Sequence, residues 1–222
     1  MKLNDFVGRI YEHRFRGAQD RKHAVWAVIC KQALQPWIPK TARVLDLGGG
    51  YGEFVRHIEA GRKYVVDINP ATMDIVKPYA EGLLGTLDSF EAKLAGNVDV
   101  IFCSNFLEHL PTKDVLLETV ECCRRILAPG GRLIVLGPNI RFLAGEYWDF
   151  LDHHLPLSDR TVDELLAVTG FQVIHRQAAL LPYTFRQRLP AFPWLVSLYL
   201  GLPPAQWMLG KQYFFVAEKP RE

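Results

Sequence analysis

Acidic residues are missing from the last quarter of this chain. Between Glu164 and Glu218 there is no aspartate or glutamate, although the 222 residues as a whole carry a formal charge of only +2. So small a net charge gives no electrostatic footprint for nucleic acid. Cysteine is also scarce: Cys30, Cys103, Cys122 and Cys123 show no C-x-x-C spacing. That excludes a disulfide frame or a zinc ribbon and predicts buried thiols in a reducing compartment. No uninterrupted apolar run reaches the roughly 18–20 residues needed to span a bilayer. Residues 1–10 mix charges without an apolar core, so no signal peptide is expected and the cytoplasm is the default location. Repeats and low-complexity segments are absent as well.

What is present is ample core material. Hydrophobic residues make up 49% and charged residues 23%, enough for one domain or one domain with an appendage. Residues 3–35 read as helical, with Val25, Trp26, Ile29, Cys30 and Ala33 on one face, until Pro36 and Pro39 intervene. Strands then alternate with helices. The spacing predicts strands over 43–47, 63–67, 83–87, 98–103, 132–136, 171–176 and 212–218. It predicts helices over 53–60, 71–79, 113–127 and 159–168. Ala128-Pro129-Gly130-Gly131 reads as a helix stop. Such alternation implies an α/β fold with a doubly wound, mostly parallel sheet covered on both faces. Ligands in such sheets bind at the carboxyl ends of the strands.

The first strand runs into Asp46-Leu47-Gly48-Gly49-Gly50-Tyr51-Gly52. Glycine costs about 0.5–1 kcal/mol inside a regular element, so a cluster of four needs a reason. Its pattern is G-x-G-x-G. The dinucleotide fingerprint G-x-G-x-x-G would need a third glycine where Glu53 or Val55 stands, which disfavours a nicotinamide cofactor. Asp67 ends the second strand, about twenty residues beyond Asp46, where a carboxylate can accept both hydroxyls of a ribose. A plain strand-to-helix turn and a helix-capping acid are the structural alternatives.

Two further phrases complete the pattern: Ser104-Asn105-Phe106-Leu107-Glu108-His109-Leu110-Pro111, and Gly137-Pro138-Asn139-Ile140-Arg141-Phe142 followed by Tyr147-Trp148-Asp149-Phe150 and Asp152-His153-His154-Leu155-Pro156-Leu157. With them the chain resembles the class I S-adenosylmethionine-dependent methyltransferases, and most closely a bacterial branch associated with glycan or glycolipid assembly. The resemblance implies a seven-stranded Rossmann-like sheet whose last strand, 212–218, is antiparallel. It implies that Asp46 organises the loop and reaches the methionine amino group, and that Gly48, Gly49 and Gly50 lie against the methionine part. Asp67 would hold the ribose and Ile68 would pack on adenine. Leu87 or Asp88 would meet the adenine amine, and Ser104 and Asn105 would flank the sulfonium. The implied organisation is an N-terminal helical cap over 1–40, a methyltransferase domain over 41–180 and 211–222, and an apolar helical insertion or lid over 181–210.

Methyl transfer from a sulfonium is a direct displacement, so positioning supplies much of the acceleration. A base is needed only where the acceptor must lose a proton. His109 and His153 are the candidate bases, and Tyr147, Trp148 and His154 the candidate acceptor contacts. Local capping and loop-pinning are the structural alternatives for these residues. A related group of quinone methyltransferases holds a divalent metal with an E-x-x-E-H phrase; Asn105 replaces the first acid here, so no metal is expected. The expected acceptor is a hydroxyl on a sugar, glycolipid or other small molecule. An N- or C-methyltransferase and a non-catalytic nucleotide-binding module are the alternatives. Nucleic acid is not an expected substrate. The acid-free, Trp- and Pro-rich stretch 181–210 suits contact with anionic lipid at the inner face of a membrane, and equally a lid or a homodimer face.

Overall fold

A computed structural model describes residues 19–183 and 192–221. The helix expected over 3–35 therefore lies partly outside the described residues. Its described part is α1 (Gln19–Ile29), which continues as a wider turn over Cys30–Leu34 and a tight turn over Gln35–Trp37 at Pro36. Val25, Trp26, Ile29 and Cys30 are buried, as their spacing predicts.

Seven strands form one sheet: β1 (Arg43–Leu47), β2 (Arg62–Asp67), β3 (Glu81–Leu84), β4 (Val98–Ser104), β5 (Leu127–Pro138), β6 (Gln172–Leu181) and β7 (Gln212–Glu218). Their order is β3-β2-β1-β4-β5-β7-β6. Only β7 is antiparallel to its neighbours. Helices α2 (Glu53–His57), α3 (Pro70–Val76), α4 (Glu91–Leu94), α5 (Lys113–Ile126), α6 (Asp159–Val168), α7 (Pro193–Leu200) and α8 (Pro203–Leu209) complete the fold. The chain passes from the edge strand β3 to β4, beside β1. The strand order reverses there, so the carboxyl ends of β1 and β4 form the crevice in which such sheets hold ligands.

Both faces of the sheet are covered, and side chains alternate between two cores with the strand period of two. Ile101, Cys103, Leu133, Val135 and Phe215 join Val120, Cys123 and Ile126 of α5 and Leu165 of α6. Val100, Phe102, Ile134, Phe214 and Val216 join Val25 and Ile29 of α1 and Phe54 of α2. All four cysteines are free and buried. Helix starts are capped by short polar side chains: Thr112 Oγ1 accepts the Val115 N–H at 3.2 Å, and Ser158 Oγ accepts that of Thr161 at 3.1 Å.

Four expectations need correction. The third strand ends at Leu84, not Leu87, because Gly85 adopts φ 148° and Leu87–Phe90 forms a tight turn. Helix α2 stops at His57, where buried Ile58 turns extended. Helix α5 does end at Ile126, just before Ala128-Pro129-Gly130-Gly131, but the strand expected from Arg132 already begins at Leu127 and includes that phrase. Leu127 already pairs with Val98, the register then slips, and Gly130 at φ 74° sits within β5. Strand β6 runs on to Leu181, carrying the chain to the ligand end of the sheet before α7 and α8.

Candidate functional site

The glycine loop is shaped by its neighbours on two sides. Gly48, Gly50 and Gly52 have φ of 76°, 52° and 73°, a region costly for residues with a Cβ. A Cβ on Gly48 would stand 2.5 Å from the Phe106 ring, and one on Gly49 would stand 2.4 Å from Val65 Cγ1. Phe106 follows β4, so this contact clamps the two crevice loops together. The Gly48 N–H donates to Val66 O at 2.9 Å.

Asp67 binds this loop directly. Its Oδ2 accepts the Gly50 N–H at 2.9 Å and its Oδ1 accepts the Asn69 N–H at 2.8 Å. Burial raises its pKa, and these hydrogen bonds pull the other way. The Thr72 side chain and the Ile68 backbone also hydrogen-bond this carboxylate, so it is held in place at the end of β2, where a ribose would meet it. The Gly85 N–H donates to Asp67 O at 2.9 Å, bringing the Leu87–Phe90 turn to the same end. In that turn Leu87 is buried in the core and Asp88 is exposed, while Ile68 is half-buried.

Asp46 is 4% exposed. Burial pushes its carboxyl well above the usual range, and the charges of Glu53 and Asp67 add to this. Glu53 is paired with Lys22 at 2.6 Å. A buried carboxylate beside the loop, with like charges near it, calls for a cation. The amino group and sulfonium of S-adenosylmethionine are both cationic, so the residues present fit that cofactor. Across the crevice, Ser104 and Asn105 are half-buried. Asn105 holds φ 48°, donates its N–H to Leu136 O at 2.9 Å, and donates from Nδ2 to Ser104 Oγ at 3.0 Å.

The second half of the site is a histidine cluster. The tight turn Leu107–His109 follows Phe106, and the loop of residues 152–155 is pinned to it. The His154 and Leu155 N–H groups both donate to Glu108 O, at 2.8 and 3.1 Å. His109 Nδ1 lies 2.8 Å from Asp152 O, and its ring centroid is 4.9 Å from that of His153. His153 is buried, stacked on Phe150 with centroids 5.0 Å apart, and its Nε2 is 3.4 Å from Tyr183 Oη. His109 and His153, far apart in sequence, are thus brought together. Tyr147 is different. It is fully buried, with its hydroxyl bonded to Leu155 O and accepting the Leu157 N–H at 3.1 Å. It therefore props the loop from behind and is not available as an acceptor contact, correcting the expectation. Trp148 and His154 are exposed.

Sequence reasoning gave Glu108 no role in the site beyond local capping beside His109. Glu108 is 1% exposed, and neither carboxylate oxygen has a hydrogen-bond partner among the described residues. Burial raises its pKa, while His109, with Nε2 at 3.9 Å from Oε1, opposes that shift. The one signal in the sequence was an acid set among apolar residues and next to a histidine.

Comparison with known proteins agrees with this geometry. The family model described as a methyltransferase domain matches residues 12–176, and the chain belongs to that family. A ubiquinone/menaquinone biosynthesis C-methyltransferase of Sinorhizobium fredii is 32% identical over 154 residues, covering 64% of this chain and 54% of the relative. A ubiquinone biosynthesis O-methyltransferase of Aromatoleum aromaticum is 26% identical over 122 residues, covering 49% and 51%. The chain thus spans about half the length of these relatives. Among solved structures, the methyltransferase bound to the Haloferax volcanii Trm112 activator superposes with a TM-score of 0.70 at 18% identity, covering 99% of this chain and 100% of that one. An S-adenosylmethionine-dependent methyltransferase of Archaeoglobus fulgidus gives 0.65 at 20% identity, covering 94% and 98%. These two establish the fold. Family and fitted residues together make S-adenosylmethionine the cofactor.

Proposed function

We propose that this protein is an S-adenosylmethionine-dependent methyltransferase that methylates a hydroxyl of a sugar, glycolipid or related small molecule at the inner face of a membrane. The observation that carries the reading is the cluster of His109 and His153 beside the crevice loop that clamps the glycine loop. The bound cofactor supplies an electrophilic methyl group on sulfur. Asp67 and the glycine loop hold its ribose and methionine parts, and Asp46 balances its positive charge. A hydroxyl acceptor must lose its proton as the new C–O bond forms and the S–C bond breaks. The histidine cluster is the proton-handling group nearest to that event.

The lipid part of the reading rests on α7 and α8. Trp194 is 66% exposed, Trp207 82% and Met208 73%. Among the described residues no helix is long and apolar enough to cross a membrane. Exposed tryptophans on short helices within an acid-free segment suit the interface of an anionic bilayer. This segment starts at the site, because Tyr183 touches both His153 and Phe150.

The test is transfer of labelled methyl from S-adenosylmethionine to a panel of free and lipid-linked saccharides, with the product bond identified. A methyl ether supports the reading. Label only on carbon or nitrogen overturns the hydroxyl acceptor, and the C-methyltransferase relative makes carbon the second reading. Absence of cofactor binding by calorimetry overturns the enzyme.

A further inference from the structure

We propose that Glu108, His109 and His153 form a binding site for a divalent transition-metal ion of the zinc type. Asn105 leaves the local phrase one acid short of a metal-binding pattern, which is why the sequence predicts no metal. The fold supplies another donor. One carboxylate oxygen of Glu108 and one nitrogen from each histidine all lie within 4.8 Å of one another. Tetrahedral ligands sharing an ion at about 2.0–2.2 Å stand about 3.3–3.6 Å apart, so closure takes up to about 1.5 Å, shared among the three side chains.

Three independent observations point to an ion. The carboxylate of Glu108 is buried, with both oxygens lacking hydrogen-bond partners among the described residues. Such a group is costly unless it is neutralised or coordinates a cation. His109 Nδ1 is 2.8 Å from a backbone carbonyl, Asp152 O, with the Asp152 carboxylate 3.4 Å away. That contact fixes the tautomer with the proton on Nδ1 and leaves Nε2 as the donor, the arrangement that orients metal-binding imidazoles. The cluster is also graded in exposure. Glu108 and His153 are buried, while the His109 side chain is 24% exposed. An ion held there keeps one side open, as a catalytic site requires and a closed structural site does not. Two imidazoles and one carboxylate select zinc, iron, cobalt or manganese over magnesium or calcium.

The binding of the ion stands apart from the methyltransferase reading; its role rests on that reading. An acceptor hydroxyl on the open side would have its pKa lowered, and its proton would leave to water as the C–O bond forms. The histidine cluster would thus act on the acceptor proton through the ion it holds.

The test uses chelator-treated full-length protein titrated with Zn2+ by calorimetry and with Co2+ by its visible spectrum. We expect one ion per chain, a Co2+ spectrum of nitrogen and oxygen ligands, and a rise in Tm with Zn2+. Glu108→Gln should weaken binding at least tenfold and abolish the Tm response. His109→Ala serves as a second variant because His109 is partly exposed and less needed for folding. His154→Ala, next to His153 but exposed, should bind as the wild type does. No binding by the wild type overturns the site, and so does equal binding by wild type and Glu108→Gln. Calorimetry with S-adenosylmethionine on the same samples keeps failure of the cofactor reading distinguishable from failure of the metal site.

Discussion

Replacing Asp67 with asparagine is the most informative single change at the cofactor end. The two side chains have nearly the same shape, so packing is preserved and only the hydrogen-bond pattern changes. Each oxygen of Asp67 accepts a backbone N–H, from Gly50 at 2.9 Å and from Asn69 at 2.8 Å. An asparagine must turn its NH2 toward one of these donors. One hydrogen bond to a charged acceptor, worth about 1.5–3 kcal/mol, is then replaced by two facing donors. In a domain of this size each kcal/mol moves Tm by about 2–4 °C, so Asp67→Asn should melt roughly 3–12 °C lower. The same NH2 replaces an acceptor with a donor on the side chain that would receive the ribose hydroxyls. Affinity for S-adenosylmethionine should therefore fall roughly ten- to hundredfold, since each tenfold step is about 1.4 kcal/mol. Differential scanning fluorimetry and isothermal calorimetry measure the two effects separately. An Asp67→Asn protein that melts within about 1 °C of wild type and binds the cofactor equally well would refute both roles, because the geometry gives the amide no harmless orientation.

Asp46 gives a pH prediction. Its folded-state pKa is raised by burial, so the folded protein holds this proton more tightly than the unfolded chain. Stability from this group is full below the unfolded carboxyl value near 4 and is lost as pH rises through the folded value. Asp46→Asn should raise Tm at pH 7 and flatten its fall with pH, while weakening cofactor binding; an unchanged pH–Tm curve would contradict this. Gly48→Ala and Gly96→Ala separate conformation from packing. Both have positive φ, but only a Cβ at 48 meets another residue, Phe106. Gly96→Ala should lose about 1–2 kcal/mol in denaturant titrations, and Gly48→Ala more together with cofactor affinity. Sedimentation with phosphatidylglycerol vesicles at low salt should retain the wild type and release a Trp194→Ser/Trp207→Ser variant; wild type that stays in solution would remove the membrane from the function.

The cofactor end was legible in the sequence because its logic is local. A strand delivers Asp46, glycines turn the chain at positive φ, and the next strand delivers Asp67 to bond the same loop. Each step lies within about twenty residues, so strand period and turn chemistry are enough to place it. The continuous apolar run of β4 likewise announced a strand buried on both faces. Where the reading slipped, a competing local cause prevailed. Gly85 cut β3 short, and a register slip absorbed Ala128-Pro129-Gly130-Gly131 into β5. The acceptor end was harder because its logic is not local. His109 and His153 could be named as residue types, but no spacing joins a tight turn after β4 to a loop after β5. Only the packing of that loop on the Glu108 carbonyl brings them to 4.9 Å. Tyr147 shows the converse error. An aromatic beside a site was expected to face the ligand, yet its hydroxyl is spent on the backbone that positions His153. The residue that most constrains this end, Glu108, stands in a phrase that lacks its first acid, at Asn105. Its significance lies in having no hydrogen-bond partner among the described residues at 1% exposure, a property that belongs to the folded molecule and to no stretch of its sequence.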